Sequence, residues 1–245
     1  MKKRKSENRI PGIITIGLVL VLFVAVFFLM QYVQSLLNSD VKINLTEIAT
    51  QNKDVITSKL KVELNNLDNK ANQVADILKK KPTVSTDTIK ESYFEYISES
   101  PDEDLFVAAS DGSAWFSNGS VINIAGRQYF RLAMEGSQNI SDRIISRVDG
   151  EELFAISVPL YIQGEVVGTV QQQYTPEEMY SLCSLSLFSD QGSIYIINSD
   201  GYILISSDQN FYNSESDNYY RSLYQDGNRE ESKTFESNIR DNKSG

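Results

Sequence analysis

The sequence contains no histidine and a single cysteine, Cys183. Without histidine there can be no Ser-His-Asp or Cys-His catalytic unit, no His/Cys zinc site of the usual kind and no histidine phosphoacceptor. One cysteine excludes an internal disulfide, so stability in an oxidising compartment would have to come from packing. Cys183 stands in the run Leu182 to Leu187 and reads as a small core residue rather than a reactive thiol. Two further absences mark the N-terminal third. No charged residue occurs from Ile10 to Ser39, and neither glycine nor proline occurs from Asp40 to Lys81.

What remains is 41% hydrophobic and 23% charged, the balance of a packed protein rather than a disordered one. The formal net charge is −10, yet Lys2, Lys3, Arg4, Lys5 and Arg9 oppose only Glu7 at the start. The body is therefore strongly acidic, which argues against nucleic acid as a partner. The basic tail, residues 1–11, reads instead as an orientation signal. Ile13 to Met30 is apolar apart from Thr15 and Gly17, and residues 12–37 meet the ~20 residues a helix needs to span a bilayer. Basic residues before the span and Asp40 after it place the N-terminus in the cytoplasm and the rest outside. The apolar stretch exceeds a signal-peptide core, and no cleavage site of the A-x-A type follows.

Residues 38–82 read as a stalk helix ended by Pro82. Ile56, Leu60, Leu64, Leu67, Ala71, Val74 and Leu78 form one apolar seam, with Asn65, Asn66, Asn69 and Asn72 on the polar side. The seam fits two arrangements equally well, a helix packed on its own domain or a helix paired with a partner copy.

From Asp104 the pattern turns to strands. Leu105 to Ser117 reads as strand, Asp111-Gly112 turn, strand, and Ile194 to Ser206 repeats this around Asp200-Gly201. A matched pair of such hairpins suggests tandem modules of one kind. Gly126 to Gly136 reads as a short helix closed by its glycine. Strands follow at Asp142 to Val148, Glu152 to Ile162 and Val166 to Tyr174, and Thr175-Pro176 resembles a helix start. The expected class is α+β: a transmembrane helix, a stalk helix, a module with a five-stranded antiparallel sheet at residues 83–187, and a partial second module at 188–245. That second module is read as a short helix around Tyr219 to Tyr224 and a charged tail from Asn228. Its missing closing strands suggest a piece of a longer receptor.

In this order the elements resemble the double Cache family, extracytoplasmic sensors of bacterial chemoreceptors, sensor kinases and cyclic-dinucleotide enzymes. The resemblance rests on the anchor and stalk, on Phe106-Val-Ala-Ala-Ser-Asp-Gly112, on Gly126-Arg127-Gln-Tyr129-Phe130, on Pro159 to Gly168, and on the second Ser-Asp-Gly hairpin. It covers roughly residues 35–230 and implies two PAS-like modules, with the ligand held in the membrane-distal one. Family members that bind amino acids hold the carboxylate with an arginine and aromatics near a helix start, where Arg127, Tyr129 and Phe130 stand here. Ile122 occupies a position where a tyrosine is common, and Gln173 falls near the aspartate that holds the amine. Ser146 falls near a further acidic position. Trp115 is either a core ring or a ligand platform, and Arg127 could instead pair with Glu135 or Asp142 on the surface.

The resemblance implies a sensor without a catalytic centre, metal or cofactor, binding a small organic acid or amino-acid-like molecule. It also implies relay through the stalk to a diguanylate cyclase, histidine kinase or chemotaxis output. Arginine supplies a planar charged fork for a carboxylate, whereas Gln173 offers a buried ammonium only a dipole. An organic acid is therefore expected over an ordinary α-amino acid. A homodimer is expected because a single span signals most simply by moving against a partner copy. The competing reading is an envelope structural or protein-interaction module with no small-molecule ligand.

Overall fold

A computed structural model of the chain describes residues 9–183, 195–198, 200–206, 233 and 237, with side chains from residue 20 onward. The basic tail before residue 9, the helix expected around Tyr219 and the charged tail from Asn228 lie outside the described residues, Lys233 and Ser237 apart. Two compact units divide at Asp54 and Val55. The long helix α1, Arg9–Leu78, contributes to both.

In the first unit α1 carries an 18-residue window of mean hydropathy 2.2, none of it buried by protein. Phe23, Phe27, Phe28 and Leu29 all point outward. Apolar surface on that scale is stable only against another apolar phase, and the helix is long and apolar enough to cross a membrane.

In the second unit the remainder of α1 packs through the seam read from the sequence. Leu67, Ala71, Val74 and Leu78 are buried, and Ile56, Leu60 and Leu64 pack against the same core. The four asparagines Asn65, Asn66, Asn69 and Asn72 are exposed. Of the two arrangements left open by the pattern, packing on the domain's own core is the one found for this half of the seam. The helix ends at Leu78 and turns through Lys81, one turn earlier than the proline alone suggested.

A second helix, α2 (Thr86–Glu99), was not anticipated. Its start is explicit in chemistry that the sequence offers: Ser85 caps it, and the side chains of Ser85 and Thr88 exchange bonds with each other's backbone N–H. Ile89, Ser92, Tyr93 and Tyr96 fall at i, i+3, i+4 and i+7 and form its buried face. The Tyr93 hydroxyl donates to the Leu105 carbonyl at 2.7 Å, tying α2 to the sheet.

The sheet has seven strands rather than the five expected. They are β1 (Leu105–Ala109), β2 (Ser113–Phe116), β3 (Val121–Asn123), β4 (Asn139–Ile140), β5 (Ile144–Ile145), β6 (Glu152–Ile162) and β7 (Glu165–Tyr174). The order is β3-β2-β1-β7-β6-β4, with β5 also on β6, and every pairing is antiparallel. The expected strand at Asp142 to Val148 is instead two short strands that flank Asp142 and Arg143. Between them the Arg143 side chain bonds the Leu204 carbonyl and the Asp142 carboxylate accepts from Asn198.

Helix α3 (Gln128–Met134) crosses one face of the sheet. It ends as expected at Gly136, where φ is 89° and the amides of Gly136 and Ser137 return to the carbonyls of Ala133 and Leu132. Helix α4 (Pro176–Cys183) starts at Thr175, whose hydroxyl accepts from the Glu178 amide while the Glu178 carboxylate accepts from the Thr175 amide. Cys183 is buried at its end, and burial raises its thiol pKa. The second hairpin forms as β8 (Tyr195–Ile197) and β9 (Ile203–Ser206).

Alternation across the sheet creates two cores. One face presents Leu105, Val107, Trp115, Phe154, Ile156, Val158 and Val170 to α1, α2 and α4. The other presents Phe106, Ala108, Ala114, Phe116, Leu153 and Ala155 to α3. The closest approach is at Gly168, where an added Cβ would stand 2.4 Å from the Ala108 carbonyl oxygen. Gly168→Ala is expected to cost about 1–3 kcal/mol in urea unfolding, as overpacked sites do. Gly126→Ala, with open space around it, should stay within about 0.5 kcal/mol of the parent.

Candidate functional site

The α3 face of the sheet is unlike the other. Its floor is built from small and polar residues: Ala108, Ala114, Ala155, Ser157, Thr169 and Gln171 are all buried there. The register sets five of its floor positions in one transverse row. Asn139 pairs with Ser157, Ser157 with Gln171, Gln171 with Phe106 and Phe106 with Phe116. At the far end the two phenylalanine rings stack with centroids 4.5 Å apart. Tyr129 and Phe130, from the first turn of α3, close over this floor and are 5% and 4% exposed.

Arg127 sits at the N-cap of α3 in extended conformation, without a side-chain bond to the helix. Its guanidinium reaches across to β5, where Nη2 donates to the Ile145 carbonyl at 2.6 Å. Pairing with Glu135 or Asp142 is not found, and among the described residues Arg127 has no carboxylate partner. A second guanidinium lies nearby. Arg147 donates through Nη1 to the Asn123 carbonyl at 2.7 Å and likewise has no carboxylate among the described residues. Both cations are close enough to be felt at the Tyr129 phenol. Burial nonetheless dominates and pushes its pKa up to about 12, with Arg127 and Arg147 opposing the rise.

Arg127, Tyr129 and Phe130 are therefore brought together, and Gln173 shares their face, opposite Ala155 and two residues beyond Gln171. The Gln173 side chain is half-buried, and its backbone amide donates to the Asp104 carbonyl at 3.0 Å. Ser146 is buried but spent locally. Its amide donates to the Glu151 carbonyl at 2.8 Å and its hydroxyl accepts from the Val148 amide at 3.2 Å. The same hydroxyl helps hold the Asp149 carboxyl below its ordinary pKa, behind the stronger effect of the Glu151 amide. Ser146 thus braces the loop that carries Ile145 and Arg147.

Trp115 does not join the group. It lies on the opposite face, in the core under α1 and α2, because it alternates with Ala114 and Phe116 along β2. Of its two readings, core ring is the one found.

The sequence reading missed Asn139, Arg147, Ser157 and Gln171. One signal was present: Gln171-Gln172-Gln173 is an unusual run for a strand buried on both sides. It marks polar work on both faces, since Gln172 points the other way and accepts from Lys70 Nζ at 2.8 Å. Among the described residues no group of three His, Cys, Asp or Glu is placed to hold a metal ion.

No protein-family model and no curated protein matches the chain. Solved structures do match, and they define the fold as that of the double Cache ligand-binding domains of bacterial chemoreceptors. The sensory domain of Campylobacter jejuni Tlp3, with isoleucine bound, superposes with a TM-score of 0.57 at 11% identity, covering 78% of this chain and 81% of that one. The ligand-binding domain of Pseudomonas fluorescens CtaA, in complex with L-valine, gives 0.58 at 15% identity over 75% and 83%. That of the Pseudomonas aeruginosa amino acid chemoreceptor PctC, in complex with GABA, gives 0.52 at 16% identity over 70% and 78%.

The raised Tyr129 pKa has a consequence for stability. The unfolded chain releases this proton near pH 10 and the folded one near 12. The native state is therefore favoured fully below pH 10 and loses that contribution as pH rises to about 12. The unfolding midpoint should fall across this window, and Tyr129→Phe should make the fall shallower. An identical slope in the variant would place the phenol in solvent.

Proposed function

We propose that the chain is the sensing region of a membrane-anchored bacterial receptor, with the α3 face of its sheet holding a small carboxylate-bearing molecule. The reading is carried by Arg127. A half-buried guanidinium beside a buried phenol, with a lone backbone acceptor and no acid among the described residues, is a cation placed for an external anion. Tyr129 and Phe130 supply buried rings beside it, against which a small ligand would be shielded from water. The fold shared with amino acid chemoreceptors supports a binding role rather than a catalytic one.

In this reading residues 12–37 cross the membrane with the N-terminus in the cytoplasm, and residues 38–82 are the stalk through which occupancy is relayed. Residues 83–187 form the distal, PAS-like sensor module, and 188–245 begin a second one. The receptor works as a homodimer, and its output is of cyclase, kinase or chemotaxis type. An organic acid is preferred over an α-amino acid, because the floor strands β1, β2, β6 and β7 offer the α3 side no acid to pair an ammonium.

The test is thermal unfolding and titration calorimetry of the full chain in detergent against a library of carboxylic acids, amino acids and amines. Carboxylates should stabilise it. Arg127→Ala should weaken binding by about tenfold or more, the loss expected for a hydrogen bond to a charged group. Arg127→Lys should recover only part, since it lacks the planar fork. Carboxylate binding that ignores Arg127→Ala, or stabilisation by amines alone, would remove the reading.

A further inference from the structure

The polar row on the α3 face contains two atoms that the protein does not satisfy. The Asn139 amide is fixed in orientation, because Nδ2 donates to two carbonyls, those of Tyr129 at 3.1 Å and Ser137 at 3.0 Å. Its Oδ1 is consequently turned away from both, and it is buried with no donor. Gln171 is fully buried, with Nε2 against the hydroxyls of Ser157 and Thr169 and Oε1 without a partner. A hydroxyl can give or take a proton, so this amide could be turned over with no loss. In either orientation one of its polar atoms stays unused.

Such atoms are rare in native cores, and each costs about 1–3 kcal/mol when nothing meets it. Here the two belong to side chains that flank Ser157 in one row, on the face that Tyr129 and Phe130 cover. We propose that the ligand carries, besides its carboxylate, an uncharged hydroxyl that donates to Asn139 Oδ1 and accepts from the Gln171 amide, whose Nε2 is the free atom once the amide is turned over. This rests on the reading of the α3 face as the ligand site.

The group is uncharged because the row offers only neutral partners, and an ammonium buried among them would keep most of its desolvation cost. A hydroxyl meets the same partners without that penalty.

The experiment is calorimetry on the full chain in detergent with matched acids that differ in one substituent. Lactate, propionate and alanine place hydroxyl, hydrogen and ammonium on the carbon beside the carboxylate. The 3-hydroxybutyrate, butyrate and 3-aminobutyrate set does so one carbon out, and 4-hydroxybutyrate with 4-aminobutyrate one further. At one of these positions the hydroxy acid should bind about tenfold tighter than both counterparts, the worth of one good buried hydrogen bond. Gln171→Met and Asn139→Leu should bring it down to the level of the unsubstituted acid. Asn139→Asp should turn the preference toward the amino compound.

Equal binding of hydroxy and unsubstituted acids at every position, with Arg127 still required, would overturn this inference alone and assign the two atoms to trapped water. A wild-type preference for the amino compound would overturn it as well. Carboxylate binding that is absent, or indifferent to Arg127→Ala, removes the site itself and this inference with it.

Discussion

From Gly168 to Gln172 strand β7 is hydrogen-bonded along both edges, so each side chain there is committed to one face of the sheet or the other. Thr169, Gln171 and Gln173 alternate with Val170, Gln172 and Tyr174, and the register to β1 and β6 fixes which set meets α3. A slip of one residue would exchange the sets wholesale. It would press Val170 into the polar row and leave Gln171 among the leucines under α1. The Gly168 contact with the Ala108 carbonyl opposes that slip, because a side chain at that point would have to push backbone aside.

The same strand ties the candidate site to α1. On the α1 side Gln172 accepts from Lys70, which is also paired with Asp102 at 2.7 Å, and the Tyr174 hydroxyl donates to Glu63 at 3.2 Å. Burial and the nearby acids raise the Tyr174 pKa, so this donor keeps its proton throughout the physiological range. Polar bonds of this kind have direction, whereas the apolar seam from Leu67 to Leu78 does not. A ligand drawing on Gln171 therefore acts on the same backbone that fixes Gln172 against Lys70, one residue and one face away. That is a physical link between site and helix, made of a strand with two sides rather than a chain of separate contacts.

The seam of α1, the repeated Asp-Gly hairpin, the glycine stop of α3 and the Thr175 cap were legible because each depends on local chemistry or on a short period. Helix α2 was equally local, and the pattern from Ser85 to Tyr96 carries both its cap and its face; it was overshadowed by the long helix before it. The division of the Asp142 to Val148 strand was not legible, and the side chains at the break, Asp142 and Arg143, bond partners more than fifty residues away. Arg127 and Tyr129 came from motif resemblance and fall in one place. Trp115 shows why resemblance does not extend to every neighbouring aromatic. Strand parity, which is readable in Ala114-Trp115-Phe116, puts it on the face away from Phe116. The polar row was out of reach because Asn139, Ser157 and Gln171 meet only through register.

That row also bears on how a small ligand could matter energetically. A core with unmet acceptors is less stable than its apolar area suggests, by about 1–3 kcal/mol for each atom. A molecule that meets them restores this on binding, and only in the arrangement that keeps Asn139 and Gln171 on either side of Ser157. Differential contact of that kind is what lets a ligand favour one arrangement over another, and 1–3 kcal/mol is the usual size of coupling between sites. An all-apolar floor could bind a carboxylate through Arg127 equally well, but the binding energy would then reside at the α3 end and leave β7 indifferent. A polar side chain on one face of β7 and bonds to α1 from the other give the proposed recognition a strand to act through.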